Sequence, residues 1–215
     1  MKLVFFFILC LWAFLSQAIV EDFCVADYSL PNGPSGYACK DPAKLTLNDF
    51  VFHGLGVPGN TSNIYKAAVT PAFSSEFPAF NGLGLAMARL DFAVGGVVAL
   101  HVHRTSEVLI LVKGEIIAGF ISTNNTAYYK KLKVGDVMIF PQSLLHFQVN
   151  VGKTPALAFV TLNSAKPGLQ FIDDSLFAGD FPPWLVEKTM LLDHDELSSH
   201  SLVCSKIDTQ GAAAD

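Results

Sequence analysis

"GGVVALHVHRTSEVLILVKGE", residues 95–115, sets two histidines two positions apart and a glutamate four further on, in a run that is otherwise mostly apolar. In an extended strand, residues i and i+2 point to the same face, so His101 and His103 project together. The "RTS" before Glu107 reads as a turn, which lets the glutamate open the next strand facing the same way. Two imidazoles and a carboxylate buried side by side are costly unless something pairs with them, and a metal ion does so. A fourth donor stands in "GDVMIFPQSLLHFQVN", residues 135–150. There "GD" opens a hairpin, "VMIF" is a strand, and "PQSLL" returns the chain so that His146 starts another strand. Three of the six histidines fall in these two blocks with a glutamate in step, which separates them from scattered core histidines.

The surroundings are β-rich. From about residue 49 to 162 the chain consists of short apolar runs such as "EIIAGFIS", "DVMIF" and "ALAFVTL", broken at "KG", "STNN", "PQS" and "VGK". This spacing predicts a β-sandwich or barrel rather than βαβ units. Many runs are apolar at every position, so both strand faces are expected to be covered, one by the core and the other by a subunit contact. After residue 170 the pattern changes. "FPPWLVEKTMLL" has prolines suited to a first helical turn, and Asp193 with Glu196 forms a capping-box-like start. Short helices are expected over 173–207, with a disordered tail "TQGAAAD".

The chain opens "MKLVFFFILCLWAFLSQA", a lysine followed by an apolar run that ends in small and polar residues. Residues 1–18 read as a secretory signal peptide, with Ser16 and Ala18 fitting the small-residue cleavage rule. The apolar run is shorter than the roughly 20 residues a membrane span needs. The mature chain, 19–215, is then one domain. Its formal charge is negative, −5 for the whole chain, and it has no basic cluster. That argues against nucleic acid or an anionic membrane as partner.

Export explains the cysteines. Cys10 leaves with the leader, while Cys24 and Cys39 frame a Pro/Gly-rich loop, residues 24–39, and are expected to form a disulfide. Cys204 is left over, free or paired between chains. Asn60 in "GNTS" and Asn124 in "NNTA" are sequons, each a candidate glycan site on a surface loop, and the more loop-like "PGNTSN" favours Asn60.

The two histidine blocks resemble the paired motifs of the cupin superfamily, and specifically the plant germin-like proteins. Gly95, His101, His103, Glu107 and Gly114 meet the first motif; Gly135, Pro141, His146 and Asn150 meet the second. "DFCVADY", "KAAVTPAF", "NGLG" and "TPALAF" extend the resemblance over nearly the whole mature chain, and look like the auxin-binding-protein branch of that group. The resemblance implies an all-β jelly-roll barrel with short C-terminal helices. It also implies manganese held by His101, His103, Glu107 and His146, a ring-like homo-oligomer (a hexamer), and residence in the plant cell-wall space. Superoxide dismutation is an activity it suggests; capture of the carboxylate of an auxin-like ligand at the metal is the alternative.

Three departures carry expectations of their own. "HVHRTSE" lacks the usual proline and is one residue shorter than the motif. Such a deletion is harmful inside a strand and can be absorbed in a turn. Ser143 replaces the glycine expected after Pro141, at a position where a positive backbone angle would favour glycine. Germins that oxidise oxalate carry two asparagines ahead of the first motif. Asn81 matches one and is expected in a substrate pocket, while Ala88 stands in place of the other, which weighs against oxalate oxidation.

Overall fold

The structure, a computed structural model, describes residues 21–193 together with Asp195 and Ser198. The predicted leader, Glu196 of the predicted cap, Cys204 and the C-terminal tail lie outside the described residues.

Ten strands make two five-stranded antiparallel sheets. In chain order they are β1 (Ala67–Ala72), β2 (Ala86–Phe92), β3 (Val97–Val102), β4 (Glu107–Lys113), β5 (Ile116–Ile121), β6 (Ala127–Leu132), β7 (Val137–Phe140), β8 (Leu145–Asn150), β9 (Ala156–Leu162) and β10 (Gln170–Phe171). One sheet runs β1-β2-β9-β4-β7, the facing one β10-β3-β8-β5-β6. Apart from β1-β2 and β5-β6, all neighbours are non-consecutive, which makes this a jelly roll, as the short, evenly spaced apolar runs predict.

Period-2 alternation places the core. Along β4, Glu107, Leu109 and Leu111 are buried while Val108, Ile110 and Val112 are exposed. Leu109, Leu111, Ile116, Ala118, Phe140 and Ala158 have no solvent contact and form the centre of the space between the sheets. Gly114 makes the tight β4–β5 turn at φ 83, where an added Cβ would stand 2.7 Å from the Ala156 methyl. The turn therefore needs both the left-handed conformation and the missing side chain.

Before β1 the chain lies across one end of the sandwich. Cys24 and Cys39 are joined by a disulfide, and Ala26 bridges to Cys39 and donates its N–H to Pro78 O at 3.0 Å. After β10 come a π-turn, Asp174–Ala178, and the helix α1 (Pro183–Met190). Proline occupies the first helical turn, and Leu191 ends the helix in the left-handed conformation, donating to Glu187 O. Both sequon asparagines, Asn60 and Asn124, are exposed; each side-chain oxygen closes a local turn, accepting from Ser62 N and Thr126 N.

Candidate metal centre

β3 and β8 are neighbours, with His101 directly opposite His146. His103 follows the end of β3, and Glu107 opens β4 in the facing sheet. The three imidazoles thus come from one sheet and the carboxylate from the other, so the cluster links the two halves of the sandwich. The register of β3 against β8 shifts between Val98 and His101. Val98 and His101 are both buried although three residues apart. The irregularity changes the inward parity just ahead of the histidines and aims both into the sandwich.

The donor atoms of His101, His103, Glu107 and His146 all lie within 4.8 Å of one another. Glu107 Oε2 stands 3.2 Å from His103 Nε2 and 3.7 Å from His146 Nε2. All four residues are buried. Each imidazole is oriented from behind by a backbone carbonyl: His101 Nδ1 donates to Ala99 O at 2.7 Å, His146 Nδ1 to Leu144 O at 2.8 Å, and His103 Nδ1 to Gly168 O. A carbonyl can only accept, so Nδ1 holds the proton of each neutral ring and Nε2 presents its lone pair to the cluster. His146 Nε2 has no hydrogen-bond partner. At His103 a lone pair and a carboxylate oxygen then face each other, an arrangement that a cation between them relieves. Three imidazole nitrogens backed by carbonyls, with one carboxylate, fit a transition-metal ion.

The protonation states agree. Burial, then the neighbouring His146, pushes His101 down to about 3, so it stays neutral and able to ligate. Burial pushes the Glu107 carboxyl up, but a proton on the Nε2 of His103 or His146 outweighs that and holds it at about 2, and a cation takes that proton's place when it binds. His101 and Glu107 are thus in their ligating forms at neutral pH.

The shortened turn is absorbed. Arg104 N–H donates to Pro167 O at 3.0 Å, Ser106 N–H to Asn163 Oδ1 at 2.9 Å, and Gln142 N–H to Ser106 Oγ at 3.2 Å. The missing residue comes out of the loop, so Glu107 keeps its inward face. Ser143 takes the positive angle expected of glycine, φ 61, and its N–H donates to His103 O at 3.0 Å. A strained serine thus steadies the backbone of a cluster residue.

Asn81 finds its partners away from the cluster. It is not among the residues lining the chamber beside the cluster. Its side chain instead accepts from Tyr37 N and donates to Tyr37 O and Cys24 Sγ, at 3.1, 2.9 and 3.2 Å. It braces the disulfide loop by pairing both backbone groups of Tyr37. Ala88 does face the chamber. So does Gln148, which sequence reasoning passed over although it stands two residues after His146 on the same strand face. It is fully buried, and both side-chain polar atoms lack hydrogen-bond partners. The chamber these residues enclose is small, about 20 Å³.

Comparison with known proteins agrees with this geometry. Residues 53–197 match the family model described as cupin. The chain is a cupin of the germin-like group. It is 60% identical to auxin-binding protein ABP19a of Prunus persica, over 83% of this chain and 86% of that one. It is 56% identical to germin-like protein subfamily 3 member 3 of Arabidopsis thaliana, over 89% and 92%. Among solved structures, an oxalate oxidase superposes with a TM-score of 0.83 at 33% identity, covering 86% of this chain and 96% of that one. In this germin-like cupin the four-residue cluster is the candidate metal site.

Proposed function

We propose that this protein is a secreted, manganese-binding germin-like glycoprotein of the plant cell-wall space, acting on superoxide. The small size of the chamber and its unpartnered Gln148 amide carry this reading. About 20 Å³ is room for roughly one water-sized ligand. Gln148, fully buried with unpartnered amide atoms, stands ready to bond what enters.

Bound there, manganese would supply one-electron chemistry and a coordination position for a small oxygen species. The chain's own residues do the rest. His101, His103 and His146 hold fixed tautomers, Glu107 contributes the compensating negative charge, and Leu90, Val98, Val160 and Leu162 keep bulk water out. A leader over residues 1–18, the Cys24–Cys39 disulfide and glycans on Asn60 and Asn124 fit export.

Homo-oligomerisation, to a hexamer by family resemblance, is supported by the outer face of β4 and β7. There Val108 stands opposite Ile139 and Ile110 opposite Val137, all four exposed. A contiguous aliphatic face of this kind is expected to meet a partner.

Auxin binding is the second reading, supported by the name of the peach relative and by an apolar hollow that adjoins the chamber. Oxalate oxidation is not proposed, because oxalate needs its second carboxylate held by more than one neutral donor, and Ala88 adds none to the Gln148 amide at the chamber wall. Losing one such donor typically costs about 10²–10³ in turnover. The test is superoxide and oxalate turnover by manganese-loaded wild type and Ala88→Asn. Superoxide turnover equal in both, with oxalate turnover rising about 100-fold in Ala88→Asn, is the expected result. Robust oxalate oxidation by wild type would overturn it. No redox turnover, with saturable metal-dependent auxin binding, would put the second reading first.

A further inference from the structure

We propose that Phe171 is a size filter, closing the metal chamber to ring-sized molecules and holding them in an outer vestibule. The inference rests on the metal reading above for its functional meaning, but its geometry does not depend on a bound ion.

Two cavities share a wall. The inner chamber contains the cluster and Gln148 and has a volume of about 20 Å³. The outer one, about 210 Å³, lies where the two sheets open between β1 and β3, with Tyr65, Ala67, Val97 and Ala99 in its lining. Val69, Val98, Leu169 and Phe171 line both. Val69 and Val98 sit within six-residue strands paired to their neighbours, so they move only with a sheet. Leu169 directly precedes, and Phe171 ends, the two-residue β10, paired to β3 only at Gln170↔Val102 and Phe171↔His101. Phe171 is the larger of the two. Its ring is 5.4 Å from the His101 ring on one side and 6.4 Å from Tyr65 on the other, near-parallel to Tyr65 at 17°. It stands between the two spaces.

Volume decides what each space can take. An apolar cavity of about 150 Å³ holds a benzene ring, whereas about 10–15 Å³ holds one water. The vestibule therefore accommodates an aromatic ring and the chamber does not. The vestibule lining carries no charged side chain, so a ring there is held by apolar contact alone. Ligands narrower than an aromatic ring pass; an aryl carboxylate stops at Phe171 with its carboxylate short of the cluster. The same wall thus separates the two functional readings, since a small oxygen species fits inside it and an auxin-sized molecule does not.

The test has two arms. In the first, metal-free protein is titrated with benzyl alcohol and followed by NMR, with Ala99 reporting the vestibule and the Gln148 side-chain amide the chamber. In wild type, Ala99 should shift and Gln148 stay still; in Phe171→Ala both should shift. Equal Gln148 shifts in the two proteins would overturn the proposal, as would no Ala99 shift in wild type. In the second arm, cobalt-loaded protein is titrated with azide and with benzoate, read by its visible spectrum. Azide should perturb both proteins, and benzoate should bind Phe171→Ala at least about tenfold more tightly than wild type. Comparable benzoate affinity would overturn the filter. If Phe171→Ala does not fold, Phe171→Leu gives the same test with a smaller gain. Failure to take up metal would remove the functional reading while the first arm still decides the filter.

Discussion

The two faces of β4 invert the usual distribution of side chains in opposite ways. Inside, the strand begins with Glu107, an ionised carboxylate only 2% exposed. Outside, it presents Val108, Ile110 and Val112, each 43% exposed, beside Val137 and Ile139 of β7 at 59%. Both arrangements are unfavourable for an isolated chain in water. Each becomes reasonable once something outside the chain completes it, a cation on the inner face and an apolar partner surface on the outer one. The difference lies in kind: the inner face is specified by four donor atoms aimed at one point, the outer by area alone.

The largest effect is expected on the inner face. Glu107 contributes the cluster's one carboxylate and its link to the facing sheet, and the shortened turn has not displaced it. Glu107→Gln should therefore lower metal affinity by about 100-fold or more, measured by competition with a chelator; second-shell losses alone cost about 10–100-fold. Unchanged affinity would mean that the three histidines bind without it, and the inner face would lose its special status. On the outer face, Ile110→Lys with Ile139→Lys should shift the native mass toward the monomer in analytical ultracentrifugation, with metal content unchanged. An assembly that survives both charges would place the subunit contact elsewhere. A wild-type protein that is already monomeric would leave the aliphatic face without the proposed partner.

Most of the inner face was legible because its signals are short-range. Strand parity pairs His101 with His103, and the "RTS" turn brings Glu107 into step. What the sequence did not disclose depended on backbone irregularity and on distant partners. The register shift between Val98 and His101 leaves no mark in side-chain alternation, because the residues around it are all apolar. Resemblance alone points Asn81 to a pocket, whereas its partners, Tyr37 and Cys24, are more than forty residues away in the chain. Gln148 escaped notice because one glutamine in a strand is ordinary, and only its burial without partners marks it. β6, "AYYKKL", is an edge strand exposed along nearly all its length, so the apolar-run criterion passes over it. The outer aliphatic face, by contrast, was readable as runs apolar at every position.

The smallest effect belongs to the rim. Ser143 holds a left-handed angle that costs a non-glycine residue about 1–2 kcal/mol, and glycine returns part of that gain through its more flexible unfolded chain. Ser143→Gly should raise stability by up to about 1 kcal/mol in denaturant unfolding, with metal affinity unaltered. A loss of stability would show that the serine side chain contributes more than its backbone strain costs.

The central claim is that the inner face is a metal site. It is tested most directly by elemental analysis of the protein purified from the secretory route without added metal, beside His146→Ala prepared identically. About one manganese per chain in wild type, and almost none in His146→Ala, is the expected result. A wild-type protein without stoichiometric metal, or a variant that retains it in full, would contradict the account.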